Sequence, residues 1–258
     1  MLFNELHYFS GALGMFTTVL VLLPDDQSQA RYGKDGNRFR ALYLLHGLSD
    51  DETIWMRRTS VERYADRWGI AVVMPRGDRS FYCNAANGSA YYDFISRELP
   101  GVISAYYRVS DRREDVFAAG LSMGGYGALK LALRTPEQFC AAAALSAVTD
   151  WPDCSRTMLN GLMGKDYVCP PEDDLYYLAD ELKRRCDNGE FAAPRFFIGC
   201  GTEDVLLPHS KAFTVKLADL GWNVVYRESA GNHSWEFWDE YIQYVFDWLL
   251  NPAKEENR

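Results

Sequence analysis

Short, largely apolar runs recur along this chain, separated by stretches with helical spacing. The runs lie at 15–23, 40–45, 70–74, 116–121, 141–145, 195–200 and 223–228. Each is too short for a buried helix, and several are bounded by Gly or Pro, so they read as strands buried on both faces. Helical spacing fills the gaps: 59–68, 91–107 (with Phe94, Ile95, Leu99, Val102 and Ile103 on one side), 123–134, 209–220 and 235–250. Strand and helix in alternation predict an α/β architecture, a mostly parallel sheet with helices on both faces. A chain of 258 residues fits one such domain spanning 1–258. Between about 150 and 192 the pattern weakens, with Pro152, Gly161, Gly164, Pro170-Pro171 and a charged helix near 174–186. That block reads as a small cap-like insertion at the carboxyl end of the sheet.

Composition narrows the partners. The formal charge is −9, which gives the chain no electrostatic reason to seek nucleic acid or an anionic membrane. The apolar stretch Met15 to Leu23 is too short to cross a bilayer, and Asn4, Glu5 and His7 before it make no basic leader. Cys83, Cys140, Cys154, Cys169, Cys186 and Cys200 form no Cys-x-x-Cys pair and have no neighbouring His couple, so a zinc site is not expected. Reduced thiols and a cytoplasmic location follow as expectations. Self-association is left open.

Gly120-Leu121-Ser122-Met123-Gly124 matches G-x-S-x-G. Its setting gives it weight, because it joins the apolar run 116–121 to the helix that starts at 123. That is the strand–turn–helix of a nucleophile elbow, which lifts a serine oxygen above the sheet edge. A serine hydroxyl needs a base. With chain order serine, acid, histidine, the base must follow Ser122, which leaves His209 and His233. His209 opens a helix and is expected to be an exposed first-turn residue. His233 sits in a Gly-containing loop after the last apolar run, where a triad histidine belongs. The loop after 195–200 offers Glu203 and Asp204. Asp204 is the better candidate for the acid that fixes the imidazole tautomer, with Glu203 pointing away. Backbone N–H groups of Met123 and Leu48 are the expected oxyanion donors, with His46 structural and Gly47 turning the loop toward the site. Trp55, Phe81, Tyr82 and Trp235 lie near these loops, and Trp55, Tyr82 and Trp235 are candidates for a substrate pocket. Arg57 and Arg58 read as a solvated face.

These residues resemble the putative-esterase (esterase D-like) branch of the α/β-hydrolases, and most of all its small bacterial tributyrin and acetyl esterases. The likeness rests on Leu44 to Ser49, Trp55 with Arg58 to Arg63, Val72 to Pro75, Tyr91-Tyr92 with Glu98-Leu99-Pro100, Ala119 to Ala128, Gly199 to Asp204 and Gly231 to Trp238, in order along nearly the whole chain. It implies an α/β-hydrolase fold and hydrolysis of short-chain acyl esters through an acyl-serine, without metal or cofactor, at Ser122, Asp204 and His233. An S-formylglutathione hydrolase-like thioesterase and a feruloyl-type esterase are the enzymatic alternatives. A non-catalytic binding module on the same scaffold is disfavoured because all three residues are present in order.

Overall fold

The computed structural model describes residues 1–25, 37–85, 89–150 and 169–251. Its strands are β1 (Leu2–Ser10), β2 (Met15–Leu23), β3 (Ala41–Leu45), β4 (Ala71–Pro75), β5 (Val116–Leu121), β6 (Ala141–Leu145), β7 (Arg195–Gly201) and β8 (Val224–Ser229). They form one sheet in the order β1-β2-β4-β3-β5-β6-β7-β8. β1 and β2 pair antiparallel, β2 meets β4 antiparallel, and every pair from β4 to β8 is parallel.

The central strands β3 to β6 are buried throughout, because each face carries its own apolar layer. Tyr43, Leu45, Ala118 and Ala142 face one layer, shared with Ile95, Leu99, Leu129 and Phe213. Leu42, Leu44, Phe117 and Ala143 face the other, shared with Trp55, Val61, Ile242 and Phe246. Helices Met123–Arg134, Leu175–Asp187 and Leu207–Asp219 supply the first layer; Val61–Trp68 and Trp235–Leu250 supply the second. The segment from Tyr91 is one continuous helical rod, as its spacing predicts, but residues Phe94–Glu98 are π-helical before Leu99–Tyr106 resumes the α-helix. Pro100 has no N–H with which to close an α-turn, so the irregularity has a local cause.

Two features depart from the sequence reading. β1 was not foreseen: it is an edge strand whose side chains are mostly exposed or half-buried, so no apolar run marks it, and full-length pairing with β2 creates it. The charged helix expected within the insertion is Leu175–Asp187, which buries Leu175, Leu178, Ala179 and Leu182 in the sheet-covering layer. Asp174 caps it, accepting from the N–H of Tyr176 at 2.8 Å and of Tyr177 at 3.2 Å. The rest of that block, residues 151–168 with Cys154, lies outside the described residues.

Candidate active site

Ser122 joins β5 to helix Met123–Arg134 with φ 52° and ψ −115°, a backbone that L-residues rarely adopt. The glycines around it make that turn feasible. A Cβ on Gly120 would stand 2.4 Å from the carbonyl of Gly124, and one on Gly124 would stand 2.4 Å from the Leu45 carbonyl oxygen. Both contacts are with backbone, which cannot give way, so the pattern G-x-S-x-G is imposed by the close crossing of strand end and helix start. The Ser122 N–H donates to the carbonyl of Leu145, the ladder partner of Leu121, at 2.8 Å, locking the turn to β6.

Beyond β7, Asp204 and His233 meet. The imidazole Nδ1 lies 2.9 Å from Asp204 Oδ2 and 3.1 Å from Oδ1, and the Leu206 N–H donates to Oδ1 at 2.8 Å. Burial pushes the Asp204 carboxyl up, but donation from His233, from the Leu206 N–H and from Ser146 outweighs it and holds the pKa below the ordinary value. A carboxylate at Nδ1 places the proton there and leaves Nε2 as the basic nitrogen. Glu203 turns the other way, as expected. Its carboxylate accepts from the Gly231 N–H and from Thr202 Oγ1, so it ties down the loop that carries His233.

Leu48 and Met123 are the residues expected to supply backbone donors. Met123 opens its helix, so its N–H belongs to the first turn, where donors have no intrahelical acceptor. Leu48 lies on the loop after β3, which packs onto the elbow: a Cβ on Gly47 would stand 2.7 Å from Leu121 Cδ1. His46 is structural. Buried, it has a pKa below the usual histidine value; its Nδ1 lies 2.7 Å from the Gly47 carbonyl, and its Nε2 accepts the Gly77 N–H at 2.9 Å. The second bond requires a lone pair on Nε2, so the Nδ1–H tautomer is fixed.

Ser122, His233 and Leu48 line one cavity of about 640 Å³ together with Leu121, Val148 and Leu206. Trp235 lines it as expected, but Trp55 and Tyr82 do not. Both are fully buried behind the site, where Trp55 Nε1 donates to the Leu45 carbonyl at 3.1 Å and the Tyr82 hydroxyl donates to the His46 carbonyl at 2.9 Å. These carbonyls lie where β3 leaves the sheet, and the two aromatic side chains satisfy them. Phe81 is buried too. His209, expected to be exposed, is buried, and its Nδ1 lies 3.3 Å from the N–H groups of both Thr149 and Asp150. Arg58, read as part of a solvated face, lines the cavity mouth with Asp50 and Glu236. Trp238 was missed. Its ring stands edge-on to the His233 imidazole at 4.9 Å, and the only sequence signal was its place one helical turn after Trp235.

A serine on a strained elbow, a carboxylate-held imidazole and two candidate backbone donors around one cavity can perform acyl transfer to serine and then to water. The family model described as Putative esterase matches residues 10–244. This chain belongs to that family. The esterase is 29% identical to the acetyl esterase of Caldicellulosiruptor saccharolyticus, across 95% of this chain and 97% of that one. Among solved structures it resembles the fluorophosphonate-binding serine hydrolase F of Staphylococcus aureus, with 35% identity, TM-score 0.83, and coverage of 97% of this chain and 98% of that one. It also resembles the S-formylglutathione hydrolase FrmB of the same species, with 34% identity, TM-score 0.82, and coverage of 97% and 99%. The esterase therefore has the α/β-hydrolase fold and is a carboxylic ester hydrolase. Among the described residues no helix is long and apolar enough to cross a membrane.

Proposed function

We propose that the esterase cleaves short-chain acyl esters through an acyl-serine formed on Ser122. The observation that carries this reading is the Asp204–His233 pair on the cavity that also holds Ser122. His233 Nε2 takes the Ser122 proton as the oxygen attacks the ester carbonyl, and the Leu48 and Met123 N–H groups receive the charge that develops on the carbonyl oxygen. The imidazolium gives its proton to the leaving alcohol. Water then repeats the sequence on the acyl-serine, and the enzyme is regenerated. Asp204, ionised beside the imidazole, stabilises the imidazolium and keeps the useful tautomer. Leu48, Leu121, Val148 and Leu206 make the cavity wall apolar, which suits an alkyl acyl chain.

The similarity to an S-formylglutathione hydrolase supports a second reading, cleavage of acyl thioesters, which the same residues would perform. We further read the chain as one domain acting in the cytoplasm on small-molecule esters. The decisive experiment combines Ser122→Ala with a panel of p-nitrophenyl esters from acetyl to octanoyl, a feruloyl ester and S-formylglutathione. Ser122→Ala should lose at least about 10⁴ in kcat on every ester and no longer react with a fluorophosphonate probe. Residual activity above a few per cent would remove Ser122 as nucleophile. A thioester rate far above every oxoester rate would establish the second reading.

A further inference from the structure

β5 and β6 are neighbours, and both run out into a serine with a left-handed backbone: Ser122 at φ 52° and Ser146 at φ 48°. The first is explained by the elbow. The second takes no part in the mechanism above. Ser146 is fully buried, so its hydroxyl does not serve solvent, and no glycine stands there to relieve the backbone. Its N–H donates to the Gly199 carbonyl at 2.8 Å, extending the β6–β7 ladder by one residue and fixing where the side chain departs.

The hydroxyl lies between both supports of His233. Trp238 Nε1 donates to Ser146 Oγ at 3.1 Å, and the Trp238 ring stands edge-on to the imidazole at 4.9 Å. On its other side the hydroxyl helps hold the Asp204 carboxyl ionised. A hydroxyl has one proton to give. Its oxygen already accepts from Trp238, and the Cys200 thiol beside it has its pKa pushed up to about 11 by burial, which leaves that sulfur a poor acceptor at neutral pH. Asp204, whose ionised form the hydroxyl favours, is the stronger acceptor. One hydrogen bond thus ties Trp238 to Ser146, the Ser146 hydroxyl favours the ionised form of Asp204, and Asp204 in turn holds His233.

We propose, on the reading of the site given above, that Ser146 is a positioning residue for ester hydrolysis, its strained backbone aiming one hydroxyl to hold the tryptophan that flanks His233. Among the described residues, the charged or titratable groups around this assembly are Asp204, Cys200, His209, Glu203 and, across the cavity, Asp50, Arg58 and Glu236. None of them is altered by the variants below.

The test measures kcat and KM separately on p-nitrophenyl acetate for Ser146→Ala, Ser146→Gly, Trp238→Phe and the double variant Ser146→Ala/Trp238→Phe. Ser146→Ala should lower kcat by about tenfold or more with KM within about twofold. Ser146→Gly relaxes the backbone, so it should melt no lower than Ser146→Ala yet show the same kinetic loss. The double variant should be little worse than the worse single one, since both act through the one Trp238–Ser146 hydrogen bond. Kinetic parameters within twofold of wild type for both Ser146 variants, or losses that multiply in the double variant, would each overturn the assignment. Ser122→Ala and fluorophosphonate labelling run alongside: an inactive Ser122→Ala with normal Ser146 variants rejects this inference alone, and an active Ser122→Ala rejects the site itself.

Discussion

Replacing Asp204 by Asn keeps the shape of the acid and removes its charge, and the hydrogen bonds show why this must be costly. Oδ1 accepts from both the Leu206 N–H at 2.8 Å and His233 Nδ1 at 3.1 Å, while Oδ2 accepts from Nδ1 at 2.9 Å. An amide can offer an acceptor at only one of these positions. With its oxygen at Oδ1, the NH₂ group faces Nδ1 and favours the tautomer whose Nε2 already carries a proton and cannot accept one from Ser122. With its oxygen at Oδ2, the NH₂ group opposes the Leu206 N–H, donor against donor in a buried place. Either arrangement forfeits a charge-assisted bond and leaves one donor unsatisfied, together about 4–5 kcal/mol. At about 1.36 kcal/mol per tenfold that is a loss of roughly 10³ to 10⁴ in kcat. Glu203→Gln retains a carbonyl oxygen that can still accept from the Gly231 N–H, so it should change kcat only a few-fold. The assay is steady-state hydrolysis of p-nitrophenyl acetate from pH 6 to 9, with melting curves to establish folding. A folded Asp204→Asn that loses less than about tenfold would refute the reasoning; a large loss in Glu203→Gln beside a mild one in Asp204→Asn would move the role to Glu203.

Gly124→Ala sets a methyl group 2.4 Å from one backbone carbonyl and 2.7 Å from the next, so it should destabilise by about 2–3 kcal/mol or more and cost at least a hundredfold in kcat; both are read from urea unfolding and ester turnover. Burial holds the His46 pKa below 6.5, so the native state favours the neutral ring. The stability this residue contributes is present above about pH 6.5 and lost as pH falls through its folded pKa, and a Tm-versus-pH series should be flatter on its acid side in His46→Gln. Lys130, fully buried and paired with Asp173, should cost about 3–5 kcal/mol in urea unfolding when changed to Met, and the double variant Lys130→Met/Asp173→Leu should recover part of that. EDTA should leave turnover unchanged, since no step of the proposed mechanism calls on a metal; a loss restored by zinc would overturn that mechanism.

Much of the fold was legible because its central strands are buried on both faces and so have no polar positions to blur the runs. The runs 116–121 and 141–145 and the helices 123–134 and 235–250 coincide with the structure to the residue. β1 was not legible for the opposite reason: exposed on an edge, it has a strand only because β2 lies beside it. The aromatic residues misled in the same physical way. Trp55, Tyr82 and Trp235 are all aromatic, all near the site, and all carry a polar tip or an extended ring. Which of them walls the cavity depends on which carbonyls the loop after β3 leaves to be satisfied.

Sequence alone determined the layered sheet and the elbow at Ser122 and pointed to the loop that carries His233, because these follow from local order: an apolar run, glycines at fixed spacing, a loop after the last strand. Tertiary structure decided what depends on direction. Asp204 and Glu203 are neighbours, yet one turns inward to the imidazole and the other holds the loop backbone. Arg58, Trp238 and Ser146 reach the site from three different elements, brought there only when β5, β6 and β7 align and the last helix folds back across them. A side chain's type is written in the chain, but the side of the turn it takes is set by partners far away in sequence.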